Sequence, residues 1–327
     1  MAGTVAVTGA TGFIGRHLSR RLAEDGWTLR LLVRRPEAAA ALDLPGATVV
    51  PGRLEDSASL RRLVVGADAI VHAAGLVKAR SRDSFFAVNA EGTRRLVEAA
   101  AAQPGTPPLF VLLSSLAARE PRLSTYAASK RAGEAALQAA KGALRWTILR
   151  PPAVYGPGDR EILPLFRAVA AGLGPMPARP TARLSILHVE DLAAAVAALL
   201  ARPLPGEILE IHDGREGGYS WPELVGAAAA AVGRQPLRVS VPPLALRLAG
   251  LAVQAGAALL SRPAMLTHGK VREILHPDWV VRDSRLMQAV GWQPKIDASG
   301  GFRQTVDWYR REGWLAAGPR PAPAGRM

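Results

Sequence analysis

The side chains best suited to chemistry in this sequence are a tyrosine and a lysine four residues apart, Tyr126 and Lys130. A helix is predicted from Ser124 to about Lys141, so the two side chains share one helix face. A lysine ammonium close to a phenol stabilises the phenolate and lowers the pKa of the phenol. Tyr126 is therefore a candidate general acid or base near neutral pH.

A second hydroxyl group is expected to meet Tyr126 at the substrate. The apolar run 109–113 predicts a buried strand, and Ser114 and Ser115 follow it directly. Because parallel strands present their carboxyl ends at one edge of a sheet, Ser115 can hydrogen-bond the same substrate oxygen as Tyr126. Lys130 is also within reach of the ribose of a nicotinamide nucleotide held at that edge.

These groups need a cofactor and a scaffold, and the start of the chain predicts both. A short apolar strand runs into Gly9, Gly12 and Gly15, and an amphipathic helix is predicted over residues 13–25. The first glycine permits a sharp turn, the second admits a pyrophosphate to bare backbone, and the third lets the helix pack close to the sheet. The helix N-terminus adds free N–H groups and the positive end of a dipole. The pattern predicts a dinucleotide-binding turn.

The end of the second strand bears on the choice of cofactor. Residues 28–33 predict a strand that ends in Arg34 and Arg35. An acidic side chain at this position accepts from the ribose 2′-OH of NAD, whereas arginine suits the 2′-phosphate of NADP. The two arginines favour NADP, with NAD as the other option. The alternative interpretation is a pair of solvated surface arginines.

Strands and helices alternate along the first half of the chain, which predicts an α/β fold of the Rossmann type with a doubly wound parallel sheet. The fourth predicted strand ends in Ala73, Ala74 and Gly75, whose small side chains allow a ligand to approach closely. We expect a smaller C-terminal substrate-binding portion. The predicted division is 1–158 for the NAD(P)-binding domain, 159–317 mainly for substrate, and 318–327 for a flexible tail.

Composition narrows the class of protein further. The chain has 327 residues, no cysteine and a formal net charge of +14. The absence of cysteine excludes disulfides and thiolate catalysis and, with a strand starting almost at Met1, predicts a cytoplasmic protein. The six histidines have no ligand spacing, so no metal site is expected.

The positive charge favours anionic partners, but the basic residues are dispersed. No basic block with interleaved aromatic residues is present, so nucleic acid is not an expected partner. A weak contact with a membrane surface remains open. The apolar segment 244–260 is short for a membrane span and contains Arg247, so it predicts a buried or interfacial helix. It also favours a hydrophobic small-molecule substrate.

As a set, these motifs resemble the extended short-chain dehydrogenase/reductases, the NAD-dependent epimerase/dehydratase family. The resemblance rests on the glycine turn and, in family order, on Val71-His-Ala-Ala74, Asn89-x-x-Gly92-Thr93, Ser114-Ser115, Tyr126-x-x-x-Lys130, Arg150-Pro-Pro-Ala-Val-Tyr-Gly156, His188-Val-Glu-Asp191 and Gly291-Trp-x-Pro294. Together they extend over most of the chain. From the sequence alone, Asp191 is expected to cap or enter a helix.

The resemblance implies a role for each catalytic candidate. Tyr126 would be the acid/base, Lys130 its activator and ribose ligand, and Ser115 the group that polarises a carbonyl. Ser115 is chosen over Ser114 because the family uses the second hydroxyl of the pair. Asn89 would position the cofactor or the catalytic helix. The expected cofactor-binding residues are Gly9, Thr11, Gly12, Phe13, Ile14, Gly15, Arg34, Arg35, Ala73, Ala74, Asn89, Tyr126, Lys130 and Pro151.

The resemblance further implies a homodimer packed through the helices around Arg94 and Arg131. Two departures from the family pattern narrow the activity. Arg53 stands where members often carry an acid beside the adenine, with Asp56 as a substitute. Residues 116–118 replace the V-Y-G of many sugar-nucleotide enzymes, which argues against a standard epimerase or dehydratase.

The sequence therefore predicts an NADP-preferring oxidoreductase that moves hydride between a nicotinamide and a secondary alcohol or ketone of a hydrophobic substrate. Two alternatives stay open. One keeps the fold and mechanism but acts on a nucleotide sugar as an epimerase or dehydratase. The other is a non-catalytic, dinucleotide-binding accessory protein, against which the intact Ser115, Tyr126 and Lys130 argue.

Overall fold

The strands of the computed structural model form one large sheet and several small ones. The structure describes residues 3–140, 142–177, 181–259 and 266–316, so the predicted tail lies outside the described residues. The strands are β1 (Thr4–Thr8), β2 (Thr28–Val33), β3 (Thr48–Pro51), β4 (Ala69–His72), β5 (Leu109–Leu113), β6 (Arg145–Arg150), β7 (Ala153–Tyr155), β8 (Leu173–Pro177), β9 (Arg183–Leu184), β10 (Ile186–His188), β11 (Glu207–Glu210), β12 (Tyr219–Ser220), β13 (Leu237–Val241) and β14 (Asp278–Trp279).

The helices alternate with these strands in the first half of the chain and dominate the second. They are α1 (Phe13–Glu24), α2 (Glu37–Ala40), α3 (Ser57–Val64), α4 (Arg82–Phe86), α5 (Gly92–Ala101), α6 (Thr125–Gln138), α7 (Leu163–Ala170), α8 (Val189–Ala201), α9 (Trp221–Val232), α10 (Pro243–Leu259), α11 (His268–Ile274), α12 (Arg285–Val290) and α13 (Ala298–Arg311).

The large sheet confirms the predicted Rossmann-type α/β fold. Its strand order is β11-β6-β5-β4-β1-β2-β3, and every neighbouring pair is parallel. The order reverses between β1 and β4. In open parallel sheets, a crevice forms at the carboxyl ends of the strands on either side of such a reversal. The glycine turn follows β1, and Ala73 follows β4, so both lie at this crevice.

Helices cover both faces of the sheet, which explains why its central strands are apolar at almost every position. In β1, Val5 and Val7 pack on one side with α1 and α8, whereas Ala6 packs on the other side with α3, α5 and α6. The five residues of β5 are all buried. Two apolar cores, one on each face, therefore hold the carboxyl ends of β1, β4 and β5 in fixed positions.

The helical segment between β4 and β5 is not one continuous α-helix. A π-helical turn, Ala87–Glu91, separates α4 from α5. The wider turn holds Asn89, whose side chain is buried and bonded to the backbone of Leu76 through both amide atoms, at 2.7 and 2.9 Å. Single π turns within helices frequently mark functional sites, and here the turn faces the crevice.

The rest of the chain builds a third core beside the sheet. Its centre is an aromatic cluster in which Phe302 contacts Tyr155 and Phe166 edge-to-face. Ser220 and Glu223 form a capping box at the start of α9. Two later elements, α8 and β11, return to the large sheet, and the division at residue 158 stays a prediction. No helix in the described ranges is long and apolar enough to cross a membrane.

Candidate active site

The glycine turn has the geometry that close backbone approach requires. Gly9 has a φ of +74°, and a Cβ on it would lie 2.6 Å from the backbone nitrogen of Ala74. A Cβ on Gly15 would lie 2.0 Å from the carbonyl oxygen of Gly9. A side chain at either position would therefore push α1 and β4 away from β1. These two glycines set how close the helix N-terminus comes to the sheet edge.

The N-terminus of α1 fits the pyrophosphate of a dinucleotide. Its N-cap is Gly12, and no side chain accepts a hydrogen bond from the first-turn N–H groups. A Cβ added to Gly12 would have one neighbouring atom within 4 Å, the carbonyl oxygen of Gly9 at 3.2 Å. Open N–H groups at the positive end of a helix are a ready anion site. The residues present here therefore suit the cofactor that the sequence predicts.

A cleft of about 2170 Å³ runs from this turn to the C-terminal portion of the chain. It contains most of the predicted site residues, although their roles remain predictions. Those on its wall are Gly9, Gly12, Phe13, Ile14, Gly15, Ala73, Ser115, Tyr126 and Pro151.

Other predicted residues lie behind the wall or away from it. Asn89 and Lys130 sit behind Gly75, where a Cβ would be 3.2 Å from Asn89 Oδ1 and 3.6 Å from Lys130 Nζ. Arg34 and Arg35 are exposed beyond the end of β2. Thr11 and Ala74 are half-buried beside the glycine turn and are not part of the cleft wall.

The two serines after β5 point to different partners. Ser114 Oγ donates to the buried carboxylate of Glu134 at 2.5 Å. Ser115 is instead the N-cap of a short 3₁₀ helix, and its hydroxyl accepts from the backbone N–H of Ala117 at 3.2 Å. The hydroxyl of Ser115 also interacts with the phenol of Tyr126. This arrangement agrees with the choice of Ser115 as the hydroxyl that works with Tyr126.

The acidity of Tyr126 differs from the sequence-based expectation. Burial raises the pKa of Tyr126 to about 12, the hydrogen bond with Ser115 opposes the shift, and the charges of Glu273 and Glu161 add to it. The expected lowering by Lys130 is wrong for this arrangement. The Lys130 ammonium donates to the carbonyl oxygen of Leu113 at 2.7 Å, and burial lowers its own pKa to about 8.

A buried hydrogen-bonded chain connects the glycine turn to the catalytic helix. The N–H of Ala74 donates to Thr8 Oγ1, which lies 2.6 Å from His72 Nδ1. His72 Nε2 lies 3.0 Å from the hydroxyl of Thr93, which donates to the carbonyl oxygen of Asn89. The amide of Asn89 then donates to Ser129 Oγ, one turn along α6 from Tyr126. The side chain of Asn89 therefore ties the π turn to α6, and its role in positioning the cofactor or the catalytic helix stays a prediction.

His72 must be neutral for this chain to form. Burial, together with the charge of Lys130, lowers the pKa of His72 to about 3. A neutral imidazole carries one proton. Because Thr8 Oγ1 already accepts from Ala74, it can donate to Nδ1, and Nε2–H can donate to Thr93. Every hydrogen bond in the chain then has a donor and an acceptor.

An ionic cluster supports the other side of α6. Arg150, at the end of β6, binds the carboxylate of Glu134 through two hydrogen bonds of 2.8 and 2.6 Å. Arg150 also approaches Glu210, which is paired with Arg119 at 3.5 Å. Arg119 in turn donates to the backbone oxygens of Asp278 and Val280. The cluster ties the catalytic helix to the C-terminal portion.

Sequence reasoning missed Glu273, which lies on the cleft wall and is buried. Its carboxylate accepts a hydrogen bond from Ser124, the N-cap of α6, 149 residues earlier in the chain. It also pairs with Lys270 at 3.1 Å. No local pattern around Glu273 signals this contact, because its partner belongs to a distant segment.

Asp191 enters a helix, as expected, and also has distant partners. The N-cap of α8 is His188, and Asp191 lies in the first turn of that helix. Its carboxylate accepts from the backbone N–H groups of Lys295 and Ile296, at 3.0 and 2.9 Å. Asp191 therefore anchors the segment before α13.

Fold and site together define a dinucleotide-binding α/β protein with a serine, a tyrosine and a lysine at the switch point of its sheet. The NAD dependent epimerase/dehydratase family matches residues 5–211. The chain belongs to this family of extended short-chain dehydrogenase/reductases, as the resemblance predicted.

Among its relatives, the ceramide reductase of Caulobacter vibrioides is 46% identical over 314 residues, 96% of each chain. The (4-alkanoyl-5-oxo-2,5-dihydrofuran-3-yl)methyl phosphate reductase of Streptomyces griseus is 32% identical and matches 68% of this chain and 70% of its own. The dTDP-glucose 4,6-dehydratase of Streptomyces venezuelae, solved with NAD bound, shares the fold with a TM-score of 0.74 at 23% identity, over 96% of this chain and 99% of its own. The chain is an NAD(P)-dependent oxidoreductase.

Proposed function

We propose that this protein reduces the ketone of a ceramide-class lipid to a secondary alcohol, with NADPH as the preferred hydride donor. The observation that carries the proposal is the composition of the cleft. Ser115 and Tyr126 line it together with apolar side chains from β8, β13 and α10, among them Met176, Val241 and Leu246. The 46% identity to a ceramide reductase along nearly the whole chain supports the same substrate class.

In the proposed reaction, each residue has a separate role. When bound, the reduced nicotinamide supplies a hydride to the carbonyl carbon. The Ser115 hydroxyl donates a hydrogen bond to the carbonyl oxygen, and Tyr126 gives its phenolic proton to that oxygen. Because burial keeps the pKa of Tyr126 at about 12, the phenol is protonated at neutral pH and ready to act as an acid, which suits the direction of reduction. Lys130 and Asn89 lie behind Gly75, where they support the cofactor side of the site.

Three exposed arginines beyond the ends of β2 and β3 support the preference for NADPH. Strands β2 and β3 are paired so that Val33 lies opposite Pro51, and the N–H of Gly52 donates to the carbonyl oxygen of Val33. Arg34 and Arg53 therefore follow neighbouring strands at the same level, and both are exposed, as is Arg35. Guanidinium groups suit a 2′-phosphate because they bind it through paired, charge-assisted hydrogen bonds.

Cofactor preference is measured by titrating the protein with NADPH and NADH and following nicotinamide fluorescence. We expect NADPH to bind more tightly and Arg34→Asp to weaken NADPH binding roughly tenfold or more, as loss of a charged hydrogen bond predicts. Arg61→Asp, an exposed arginine on α3, is the matched control. Tighter binding of NADH by the wild type would contradict the preference.

The substrate is tested by adding a ceramide whose secondary alcohol is oxidised to a ketone, in detergent micelles, together with NADPH. We expect NADPH oxidation with formation of one alcohol per cofactor. Interconversion of a nucleotide sugar without net cofactor consumption would instead indicate an epimerase. Binding of NADPH without turnover of any ketone would indicate an accessory protein. The cytoplasmic location stays a prediction from the sequence.

We also propose that the protein works as a homodimer through the outer faces of α5 and α6. A shallow groove there is lined by Ala90, Arg94, Ala132 and Ala136, and small side chains let helices approach closely. Light scattering of the purified protein tests this arrangement. A monomer at micromolar concentration would contradict it, as would a dimer that survives Ala132→Arg.

A further inference from the structure

An apolar face is uncovered beside the mouth of the cleft. Leu244, Leu248 and Leu251 share one face of α10, being spaced four and three residues apart, and they are 66%, 58% and 52% exposed. A surface helix normally turns its leucines toward the core. In α10 the opposite face packs on the protein, where Gly250 lies against the side chain of Val271.

The strands that precede α10 extend this face. Strand β13 pairs in parallel with β8, and Leu237 and Leu173, which are in register, are 70% and 49% exposed. Seven of the nine most exposed large hydrophobic side chains in the described residues belong to β8, β13 and α10. Scattered exposed hydrophobics need no explanation, whereas a concentration of them marks an interaction site. We call Leu173, Leu237, Leu244, Leu248 and Leu251 the apolar patch.

The segment that carries most of the patch has charged residues of one sign. From Leu224 to Arg272 the sequence has six arginines and lysines and no aspartate or glutamate. Arg234, Arg238 and Arg247 of this stretch are exposed. Arg247 follows Leu246 on α10 and lies at the edge of its leucine face, where a long side chain can place its charge at a polar boundary. Leucines bordered by arginines are typical of helices that lie in the interface of an anionic membrane.

The patch is continuous with the substrate cleft. Val241 of β13, Leu246 of α10 and Met176 of β8 line the cleft, whereas the patch residues of the same three elements face outward. An alkyl chain that leaves a bilayer at the patch therefore reaches the cleft past apolar side chains. A second copy of this chain fits the same face less well, because pairing it with itself would bring the arginines together.

We propose that the apolar patch docks on the surface of an anionic lipid bilayer and that the lipid substrate enters the cleft from there. The inference rests on the proposed function, since it specifies how a ceramide-class ketone reaches Tyr126. In this arrangement α10 lies along the membrane surface. The leucines enter the boundary between headgroups and acyl chains, and the arginines bind lipid phosphates.

Flotation of the full chain with vesicles tests the docking. We expect co-flotation with vesicles of phosphatidylglycerol and phosphatidylcholine and little with phosphatidylcholine alone. The triple variant Leu244→Gln, Leu248→Gln, Leu251→Gln should bind the anionic vesicles at least about tenfold more weakly, because it lacks the three leucines that would enter the membrane. Arg238→Gln with Arg247→Gln should weaken binding roughly fivefold per arginine and remove much of its salt sensitivity.

Val65→Gln is the matched control, since Val65 is 55% exposed but follows α3, far along the chain from the patch. It should float like the wild type. Absence of the wild type from anionic vesicles, or equal flotation of the triple variant, would overturn the proposal. The proposal would also be overturned if the wild type formed an oligomer and the triple variant did not, because the patch would then be covered by a second copy.

An assay in micelles separates this proposal from the proposed function. The triple variant should reduce the micellar ketone at the wild-type rate and lose activity only when the ketone is embedded in anionic vesicles. Normal reduction in micelles without vesicle binding by the wild type contradicts the docking and leaves the proposed function standing. Vesicle binding that the triple variant abolishes supports the docking even if no ketone is reduced.

Discussion

The cofactor side and the substrate side of the cleft differ in how they are held together. On the cofactor side, Thr8, His72, Thr93 and Asn89 form a buried chain of hydrogen bonds that joins β1 and β4 to the helical segment 87–101. On the substrate side, leucines of α10 remain exposed, and the contact between Glu273 and Ser124 joins segments 149 residues apart. The comparison is between a buried, hydrogen-bonded site and an exposed apolar surface that we propose receives the lipid.

The largest difference between the two sides should come from their tyrosines. Tyr126→Phe removes the proton that reduction requires, and we expect turnover to fall by about a thousandfold, within the usual range for a general acid. Binding of NADPH should remain. The rate of NADPH oxidation with the micellar ketone and the fluorescence titration measure the two effects separately.

Tyr155→Phe is the counterpart on the substrate side. The hydroxyl of Tyr155 donates to the carbonyl oxygen of Asp297 at 3.2 Å, so its proton is directed at the backbone. We expect a rate within about threefold of the wild type, as for loss of one neutral hydrogen bond. Equal losses in the two variants would show that Tyr126 is not the acid.

Glycines give the second contrast. Gly15→Ala places a methyl group 2.0 Å from the Gly9 carbonyl, and forcing α1 away from the sheet should weaken NADPH binding about a hundredfold and lower the free energy of unfolding by about 1–3 kcal/mol. Fluorescence titration and denaturant unfolding measure the two quantities.

Gly226→Ala is the matched change on the substrate side. Gly226 lies within α9, and a Cβ there meets no atom within 4 Å. Alanine should raise the stability by about 0.5–1 kcal/mol because glycine is unfavourable inside helices. Cofactor affinity should not change. A loss of affinity in Gly226→Ala equal to that in Gly15→Ala would mean that the effect is a general loss of folding.

The buried His72 makes the stability of the protein depend on pH. The pKa of His72 falls from 6.5 to about 3 on folding, so its contribution to stability is complete above pH 6.5 and is lost as the pH falls from there toward 3. The unfolded chain takes up the proton first, which costs the folded state up to roughly 1.4 kcal/mol per pH unit in this window. His72→Gln should remove this slope, as urea unfolding at a series of pH values would show.

His188 is the comparison on the other side. Its Nδ1 accepts from the backbone N–H of Glu190, but its buried Nε2 has no partner in the described residues. His188→Asn keeps a side-chain acceptor that can cap α8, so we expect a smaller loss of stability at neutral pH than in His72→Gln. A larger loss there than in His72→Gln would contradict the view that the hydrogen-bonded chain is the rigid part.

The smallest expected effect concerns Glu273. Its charge raises the pKa of Tyr126, so Glu273→Gln should lower that pKa and move the alkaline limit of ketone reduction to lower pH. The rate at neutral pH should stay within about threefold of the wild type, as expected for a group that acts only through Tyr126. A purely structural role would change the rate without moving the pH profile. The control is Glu312→Gln, since Glu312 is an exposed acid distant along the chain.

The sequence predicted the fold well because its signals are local. Each strand of the large sheet up to β6 is an apolar run bounded by turns or helix starts, and the predicted starts of α1 and α6 agree with the structure. The glycine turn and the Tyr126–Lys130 pair are also local patterns. A motif of a few residues is enough to indicate where such a site forms.

The features that the sequence did not reveal depend on distant partners or on burial. Asp191 enters α8, as expected, but the sequence did not reveal that its carboxylate oxygens accept from backbone N–H groups more than a hundred residues later. The π turn at Asn89 depends on Leu76 and Ser129. The high pKa of Tyr126 reflects how deeply α6 is packed and the carboxylates that surround the phenol. Residue spacing along the chain contains none of this information.

Transfer of a deuteride from the nicotinamide to the lipid tests the central claim most directly. The protein is incubated with NADPH deuterated at the reactive carbon of the ring and with the ketone form of a ceramide, and the lipid product is examined by mass spectrometry. We expect one deuterium on the new carbinol carbon and no labelled product from Tyr126→Phe. A lipid product without deuterium, or an equal yield from Tyr126→Phe, would contradict it.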